Sequence, residues 1–166
     1  MRIGFTVKLA LLAALIGFFA SISFAAPPSK TLPEIKLKDW GGKERVITRG
    51  RDGGKTLIFF WSVFCPNCKE IMPKLASFRP GGAKNFSVYA VNVDGDHFTN
   101  AIKAFMDDNK PKYTVVLDRF ENGAMVAADP LAVAKTPTLV LVDAGGKVLL
   151  RQEVEVNLAE VEKLAR

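Results

Sequence analysis

The sequence is poor in the residues that build metal centres and disulfide scaffolds. Its 166 residues contain two cysteines, Cys65 and Cys68, and a single histidine, His97. Two cysteines cannot supply the several cross-links of a small secreted scaffold, and a tetrahedral zinc site needs further ligands. The chain is long enough to bury a hydrophobic core without such help. We therefore expect no disulfide framework and no resident metal.

The chain also lacks a strong charge imbalance, internal repeats and low-complexity tracts. The formal net charge is +6, and Arg2 and Lys8 near the N-terminus contribute two of these charges. Beyond them, lysines and acidic residues are interspersed, which is typical of a solvated surface rather than a nucleic-acid footprint. We expect no nucleic-acid partner.

Residues 1–25, here called the leader, have the pattern of a secretory signal peptide. Arg2 and Lys8 supply positive charge, residues 9–20 are apolar, and small residues precede a cleavage site after Ala25. An uncleaved anchor in the inner membrane is the alternative, because the uncharged run approaches the length that spans a bilayer. Either way we expect a periplasmic or other extracytoplasmic location, where disulfides persist.

Strand and helix patterns alternate along residues 26–166, which predicts a single layered α/β domain. We expect a hairpin at 35–47, strands near 56–61, 86–93, 113–117 and 137–143, and a closing hairpin to 147–151. Helices are predicted at 65–78, after Asp96, at 121–128 and after Asn157. In the helix after Asp96, the spacing predicts that Phe98, Ile102, Phe105 and Met106 face inward. Strand 56–61 is apolar on both faces, which predicts a central strand covered by helices on two sides.

The two cysteines stand where this central strand gives way to a helix. If the helix begins at Cys65, the sulfurs of Cys65 and Cys68 lie about one turn apart on one face. Unpaired N–H groups and the helix dipole would stabilise a thiolate on Cys65, which favours thiol–disulfide exchange. A structural disulfide is poorly motivated, because the closed loop is short. The spacing is also compatible with two inert buried thiols, or with a copper-delivery module that adds His97.

A second landmark, Thr136-Pro137-Thr138, precedes an apolar strand. Proline cannot donate to a sheet ladder, so it marks a strand start or a bend. On the sequence alone, an ordinary trans proline satisfies this pattern.

These motifs, in their order and spacing, resemble those of the thioredoxin fold and, more narrowly, of the secreted TlpA/ResA-like thiol–disulfide oxidoreductases. The resemblance covers about residue 32 to the C-terminus. It implies a central mixed β-sheet flanked by helices, an N-terminal β-hairpin and an inserted strand–helix unit near 86–108. The residues that carry it are Trp61, Cys65-Pro66-Asn67-Cys68, Pro73, Val91-Asn92-Val93-Asp94 and Thr136-Pro137-Thr138.

The resemblance also implies roles for individual residues. Cys65 matches the exposed attacking thiol, Cys68 the thiol that resolves the mixed disulfide, and Pro137 the family's cis-proline beside the dithiol. Trp61 and Phe64 are expected to form apolar walls of the site. Ordinary core packing is the alternative for each. Substrate contacts are expected from Trp61, Phe64, Pro66, Thr136 and Pro137.

Three departures from the family pattern concern proton transfer and redox potential. Phe59 stands where thioredoxins bury an aspartate. Ile71 stands where related secreted proteins often carry a glutamate, and the neighbouring Glu70 is rotated by about 100° on a helix. The pair Pro66-Asn67 lacks the histidine of strongly oxidising sites, which favours a more reducing potential.

We therefore expect an enzyme that reduces disulfides of exported proteins, for example in cytochrome c maturation. It would act as a monomer, need no cofactor, and be recharged by a membrane electron donor. The alternative is a disulfide oxidant or isomerase that uses the same two cysteines.

Overall fold

The computed structural model describes residues 31–50, 53–82 and 85–166. The predicted leader lies outside the described residues. Within the described part of the chain, none of the helices combines the length and the apolar character needed to cross a membrane.

A mixed seven-stranded β-sheet forms the centre of the domain, and a separate two-stranded hairpin lies beside it. The strands are β1 (Lys36–Asp39), β2 (Glu44–Val46), β3 (Thr56–Trp61), β4 (Ser87–Asn92), β5 (Thr114–Leu117), β6 (Phe120–Glu121), β7 (Ala124–Met125), β8 (Thr138–Val142) and β9 (Val148–Glu153). The large sheet has the order β2-β1-β5-β4-β3-β8-β9. Strand β4 is parallel to both β3 and β5, and β3 is antiparallel to β8. The predicted mixed sheet with an N-terminal hairpin is confirmed.

In the described part of the chain, three α-helices pack against the sheet: α1 (Pro66–Ser77), α2 (Thr99–Asn109) and α3 (Leu158–Ala165). Short 3₁₀ turns, Pro80–Gly82 and Asp96–Phe98, follow α1 and precede α2. The side chain of Asn157 caps α3 by accepting the N–H of Ala159, as predicted.

The six residues of β3 are all buried and divide the core into two clusters. Leu57, Phe59 and Trp61 face a cluster to which all three helices contribute. Ile58 and Phe60 face a second cluster built from other strands and from the segment around Ala127 to Leu131. No helix among the described residues contributes to this second cluster, so the expectation of helices on both sides of β3 is wrong.

The sequence predicted a helix at 121–128, which could have covered this second cluster. That prediction is also wrong, because the segment forms strands and turns. Asn122 and Gly123 adopt positive φ angles of 53° and 84°. They form the two-residue loop of the β6–β7 hairpin, for which Asn-Gly is a preferred sequence. Glycine adopts such angles without steric cost, whereas neither residue could then continue a right-handed helix.

Candidate active site

The two cysteines lie at the edge of the sheet where the parallel strands β3 and β4 both end. Trp61, the last residue of β3, is paired with Asn92, the last residue of β4. The chain then turns through residues 62–65, and the N–H of Cys65 donates to the carbonyl oxygen of Ser62 at 3.1 Å. Pro66 takes the first position of α1, where its missing N–H costs no helical hydrogen bond. Sheet topology and a local turn signal thus place Cys65 at the helix N-terminus.

Cys65 and Cys68 form a disulfide, with their Cα atoms 5.3 Å apart. The Sγ atom of Cys65 accepts the backbone N–H of Cys68 at 3.1 Å, so one helix N-terminal donor points at the sulfur. Cys65 is 7% exposed and Cys68 is fully buried. Cys65 is therefore less accessible than the sequence suggested, yet it alone of the pair reaches the surface.

An open pocket of about 380 Å³ begins at Cys65. Its lining includes three of the predicted substrate-contact residues, Phe64, Pro66 and Thr136. The lining residues are Ser62, Phe64, Cys65, Pro66, Asn67 and Thr136. None of these described residues is charged, so no cation in the pocket wall stabilises a Cys65 thiolate.

The peptide bond between Thr136 and Pro137 is cis, as the resemblance implied. The carbonyl oxygen of Pro137 accepts the N–H of Val154 at 2.8 Å. The hydroxyl of Thr138 donates to the carbonyl oxygen of Lys135 at 2.7 Å. These bonds fix both ends of the Thr136-Pro137 segment beside the pocket.

The loop before Thr136 is held by a charged pair on β9. Oε1 of Glu153 accepts the N–H groups of Ala134 and Lys135 at 3.1 and 2.7 Å. Arg151 donates to the carbonyl oxygen of Ala132 at 2.7 Å and to Glu153 at 3.2 Å. Burial raises the pKa of Glu153, but these N–H donors and the Arg151 guanidinium outweigh it and leave the pKa below its usual value.

The two aromatic residues predicted near the site occupy different environments. Trp61 is fully buried and packs against Phe105 with ring centroids 4.7 Å apart, so it follows the core-packing alternative and presents no surface to a substrate. Phe64 is 63% exposed and meets Phe98 edge-on. Phe98, predicted to face inward, is 44% exposed because it lies in the turn before α2.

No carboxylate occupies the two positions at which the resemblance directed attention to a proton-transfer group. Phe59 is fully buried in the core, Ile71 is buried, and Glu70 lies on the exposed side of α1. His97 is exposed in the 3₁₀ turn before α2. The described residues contain no group of three or more His, Cys, Asp or Glu side chains that could hold a metal ion.

Sequence reasoning missed Asp94, whose carboxylate binds the turn before Cys65. Its oxygens accept the hydroxyl of Ser62 and the N–H of Val63. The sequence held only part of the signal: Ser62 and Asp94 each follow a predicted strand, and linking them required knowing that the two strands are parallel neighbours. The carboxyl ends of adjacent parallel strands meet at one edge of a sheet, which is a common place for ligand sites.

The chain is similar to known redox proteins over most of its length. The Redoxin family profile matches residues 27–165. The chain is 30% identical to the thiol–disulfide oxidoreductase ResA of Geobacillus thermodenitrificans, over 86% of this chain and 82% of the relative. It is 34% identical to the thiol–disulfide oxidoreductase YkuV of Bacillus subtilis, over 79% of this chain and 96% of the relative.

Solved structures show the same architecture. The crystal structure of StoA from Bacillus subtilis superposes with a TM-score of 0.65 at 20% identity, covering 84% of this chain and all of StoA. At that identity the superposition establishes the fold alone, and the family rests on the sequence matches. The chain belongs to the Redoxin family and has a thioredoxin-like fold.

Proposed function

We propose that this protein reduces disulfides in exported polypeptides, with Cys65 as the attacking thiol and Cys68 as the resolving thiol. The chain is a thiol–disulfide oxidoreductase of the ResA type. The observation that supports these roles is the difference in access: Cys65 opens into the pocket that Thr136 also lines, whereas Cys68 is buried. A substrate sulfur can approach Cys65 from the pocket, and Cys68 can then attack Cys65 from within the protein.

The reaction takes two exchange steps. The Cys65 thiolate attacks one sulfur of the substrate disulfide, that S–S bond breaks, and the other substrate sulfur leaves as a thiolate. Cys68, after losing its proton, attacks the Cys65 sulfur of the mixed disulfide and releases the second substrate thiolate. Two electrons pass to the substrate, which takes up two protons, and the protein is left with the Cys65–Cys68 disulfide. A dithiol on a membrane electron donor would reverse these steps and recharge it.

The reductive direction is supported by what surrounds Cys65. Strongly oxidising proteins stabilise the reduced dithiol by holding the attacking cysteine as a thiolate, often with a nearby cation. Here Pro66 and Asn67 separate the cysteines, and the described pocket lining contains no lysine, arginine or histidine. The N–H of Cys68 is the hydrogen-bond donor to the Cys65 sulfur. We therefore expect a potential nearer that of thioredoxin, about −270 mV, than that of DsbA, about −120 mV.

The reduction potential of the Cys65–Cys68 pair tests this direction. The protein is equilibrated with glutathione buffers of graded composition, and the two redox forms are separated by alkylation and mass. A value near −120 mV would instead establish the oxidant alternative, and one near −180 mV an isomerase, since protein disulfide isomerase lies about there.

The substrate class can be identified by trapping. A Cys68→Ser variant cannot resolve the mixed disulfide, so its substrates should remain attached to Cys65. We expect exported proteins with paired cysteines among them, apocytochromes c being the class suggested by the family. The Cys65→Ser variant is the matched control and should trap none of them. Trapping of cytoplasmic proteins alone would contradict the proposed location.

We further propose that the leader exports the domain, which then acts as a monomer. The mass of the protein isolated from cells shows whether the leader is a cleaved signal peptide or an uncleaved anchor. A chain that begins at Ala26 indicates cleavage, and a membrane-bound chain that retains Met1 indicates an anchor.

A further inference from the structure

Ser62 organises the turn that carries Cys65. Its carbonyl oxygen accepts the N–H of Cys65 at 3.1 Å, and its hydroxyl oxygen accepts the N–H of Phe64 at 3.0 Å. Ser62 also lines the pocket into which Cys65 opens. The position of the Cys65 sulfur therefore depends on where Ser62 is held.

Asp94 holds Ser62 from the neighbouring strand. One carboxylate oxygen accepts the hydroxyl of Ser62, and the other accepts the N–H of Val63 at 2.8 Å. The second oxygen also accepts the side-chain amide of Asn92 at 2.7 Å, while the amide oxygen of Asn92 accepts the N–H of Asp94 at 3.0 Å. Asn92 is almost completely buried, so the carboxylate is anchored to the sheet.

Ser62 and Asp94 accept the hydrogen bonds of the three backbone N–H groups that precede α1. Val63 donates to Asp94, and Phe64 and Cys65 donate to Ser62, which itself donates to Asp94. The N–H of Val63 makes its hydrogen bond in a partly buried place, and a donor that loses its partner there carries a desolvation penalty, so the turn would rearrange if the carboxylate were removed. Small displacements of reacting groups slow reactions strongly.

We propose that Asp94 is a positioning residue for the dithiol: by holding Ser62 and Val63, it fixes the turn that aligns the Cys65 sulfur for attack by Cys68. This inference rests on the proposed function, in which Cys65 forms the mixed disulfide. The resolving step is the one most sensitive to Asp94, because Cys68 is fixed in α1 and the two sulfurs must meet in line.

The Asp94→Asn variant separates the contribution of the Asp94 hydrogen bonds from that of its negative charge. In Asp94→Asn the amide oxygen can accept the Val63 N–H and the Asn92 amide, and the amide nitrogen can donate to Ser62. In Asp94→Ala all three bonds are lost. Asp108→Asn, on the exposed face of α2, removes the same charge far along the insert and serves as the control.

The test uses reduced protein and a chromogenic aryl disulfide in a stopped-flow instrument. The first coloured thiolate is released when Cys65 attacks the reagent, and the second when Cys68 attacks Cys65 and the mixed disulfide breaks. The rate of the second release, measured across pH to its plateau, reports alignment once the attacking thiolate is fully formed. A purely structural role would lower the melting temperature without changing this plateau in the folded protein.

We expect Asp94→Ala to slow the second release by about tenfold or more and Asp94→Asn to remain within about twofold of wild type. Asp108→Asn should match wild type. An unchanged rate in Asp94→Ala, or an equal loss in Asp94→Asn, would overturn the inference. If Asp94→Ala does not fold, Ser62→Ala takes its place, and an unchanged second release in that variant would be equally decisive.

The outcome also separates this inference from the proposed function. If wild-type protein releases one thiolate and never the second, Cys68 does not resolve and the proposed function fails. If wild type releases both and the variants of Asp94 and Ser62 behave identically to it, only the positioning role fails.

Discussion

Phe64, the residue before Cys65, packs edge-on against Phe98 of the inserted strand–helix unit, with ring centroids 5.0 Å apart. Phe64 is 63% exposed and Phe98 44% exposed, and aromatic rings with exposed surface beside a reactive group are suited to contact a polypeptide. The insert thereby contributes an apolar surface next to the dithiol that the CPNC motif alone does not contain.

We expect Phe98→Ala to lower kcat/KM for a disulfide-bearing polypeptide such as insulin by about fivefold, the loss of roughly 1 kcal/mol of aromatic contact. The rate with a small aryl disulfide should stay at the wild-type value, because that reagent reaches Cys65 without covering Phe98. Phe120→Ala is the control, since Phe120 is 72% exposed on β6 of the separate two-stranded hairpin. Equal losses with both reagents would show that Phe98 supports the fold of the site rather than its substrate.

Cys65 should be the thiol alkylated first in the reduced protein near neutral pH. It opens into the pocket at the N-terminus of α1, whereas Cys68 is fully buried. A thiolate is the reactive form, and the helix N-terminus favours it at Cys65. Peptide mass mapping after limiting iodoacetamide measures the order. In Cys65→Ser, Cys68 should resist the reagent until denaturant is added, and rapid labelling there would reverse the assigned roles.

Glu153 should stabilise the loop before Thr136 in a pH-dependent way. Because the folded-state pKa lies below the usual 4.5, its contribution is present above that value and is lost as the pH falls through the folded-state pKa. We expect Glu153→Gln to lower the free energy of unfolding by roughly 1 kcal/mol near neutral pH. Urea unfolding at neutral and acidic pH measures the difference, which should shrink in acid. Glu155→Gln, on the exposed surface, should show no such trend.

Asp118 has the opposite dependence on pH. It is 1% exposed, and its oxygens accept the N–H groups of Arg119, Ala127 and Ala128, each at 2.9 Å. Burial raises its pKa above the usual 3.8 despite these bonds, so its contribution is greatest in acid and declines as the pH rises through the folded-state pKa.

We expect Asp118→Asn to destabilise the protein by about 1–3 kcal/mol in acid, because the amide nitrogen cannot accept one of the three N–H groups. The difference in the free energy of unfolding between Asp118→Asn and wild type should become smaller as the pH rises. Urea unfolding across the acidic range measures it, with Asp108→Asn as a control of unchanged stability. A gap that widens with pH would show that the ionised carboxylate is the favoured form.

The elements that could be predicted from sequence are those with local signals. Strand β3 is a short apolar run, and α1 begins where Pro66 follows the cysteine that ends the turn after that strand. An apolar run and a proline at the first helical position can both be read from neighbouring residues. The cysteine spacing and the helix then fixed the geometry of the dithiol.

The errors arose where distant residues or turn chemistry outweighed a helical pattern. Residues 121–128 are rich in apolar residues, but Asn122-Gly123 starts a hairpin loop, and Asp118 binds the N–H groups of Ala127 and Ala128. Phe98 fitted the spacing of α2, yet the helix begins only at Thr99, so the helical period does not apply to it. Asp94 could be linked to Cys65 only once β3 and β4 were known to be parallel neighbours.

The two cysteines belong to the same hydrophobic cluster as Leu57, Trp61 and Leu75. Opening the disulfide therefore changes the interior of the domain, and the free energy of unfolding must differ between the oxidised and reduced forms. A thermodynamic cycle links four quantities. They are the free energies of unfolding of the oxidised and reduced forms, and the reduction potentials of the cysteine pair in the folded and unfolded chains. If the oxidised form is the more stable by about 1.4 kcal/mol, the folded pair is harder to reduce than the unfolded pair by about 30 mV. Two denaturation curves thus give the shift that folding imposes on the redox chemistry, without any redox buffer.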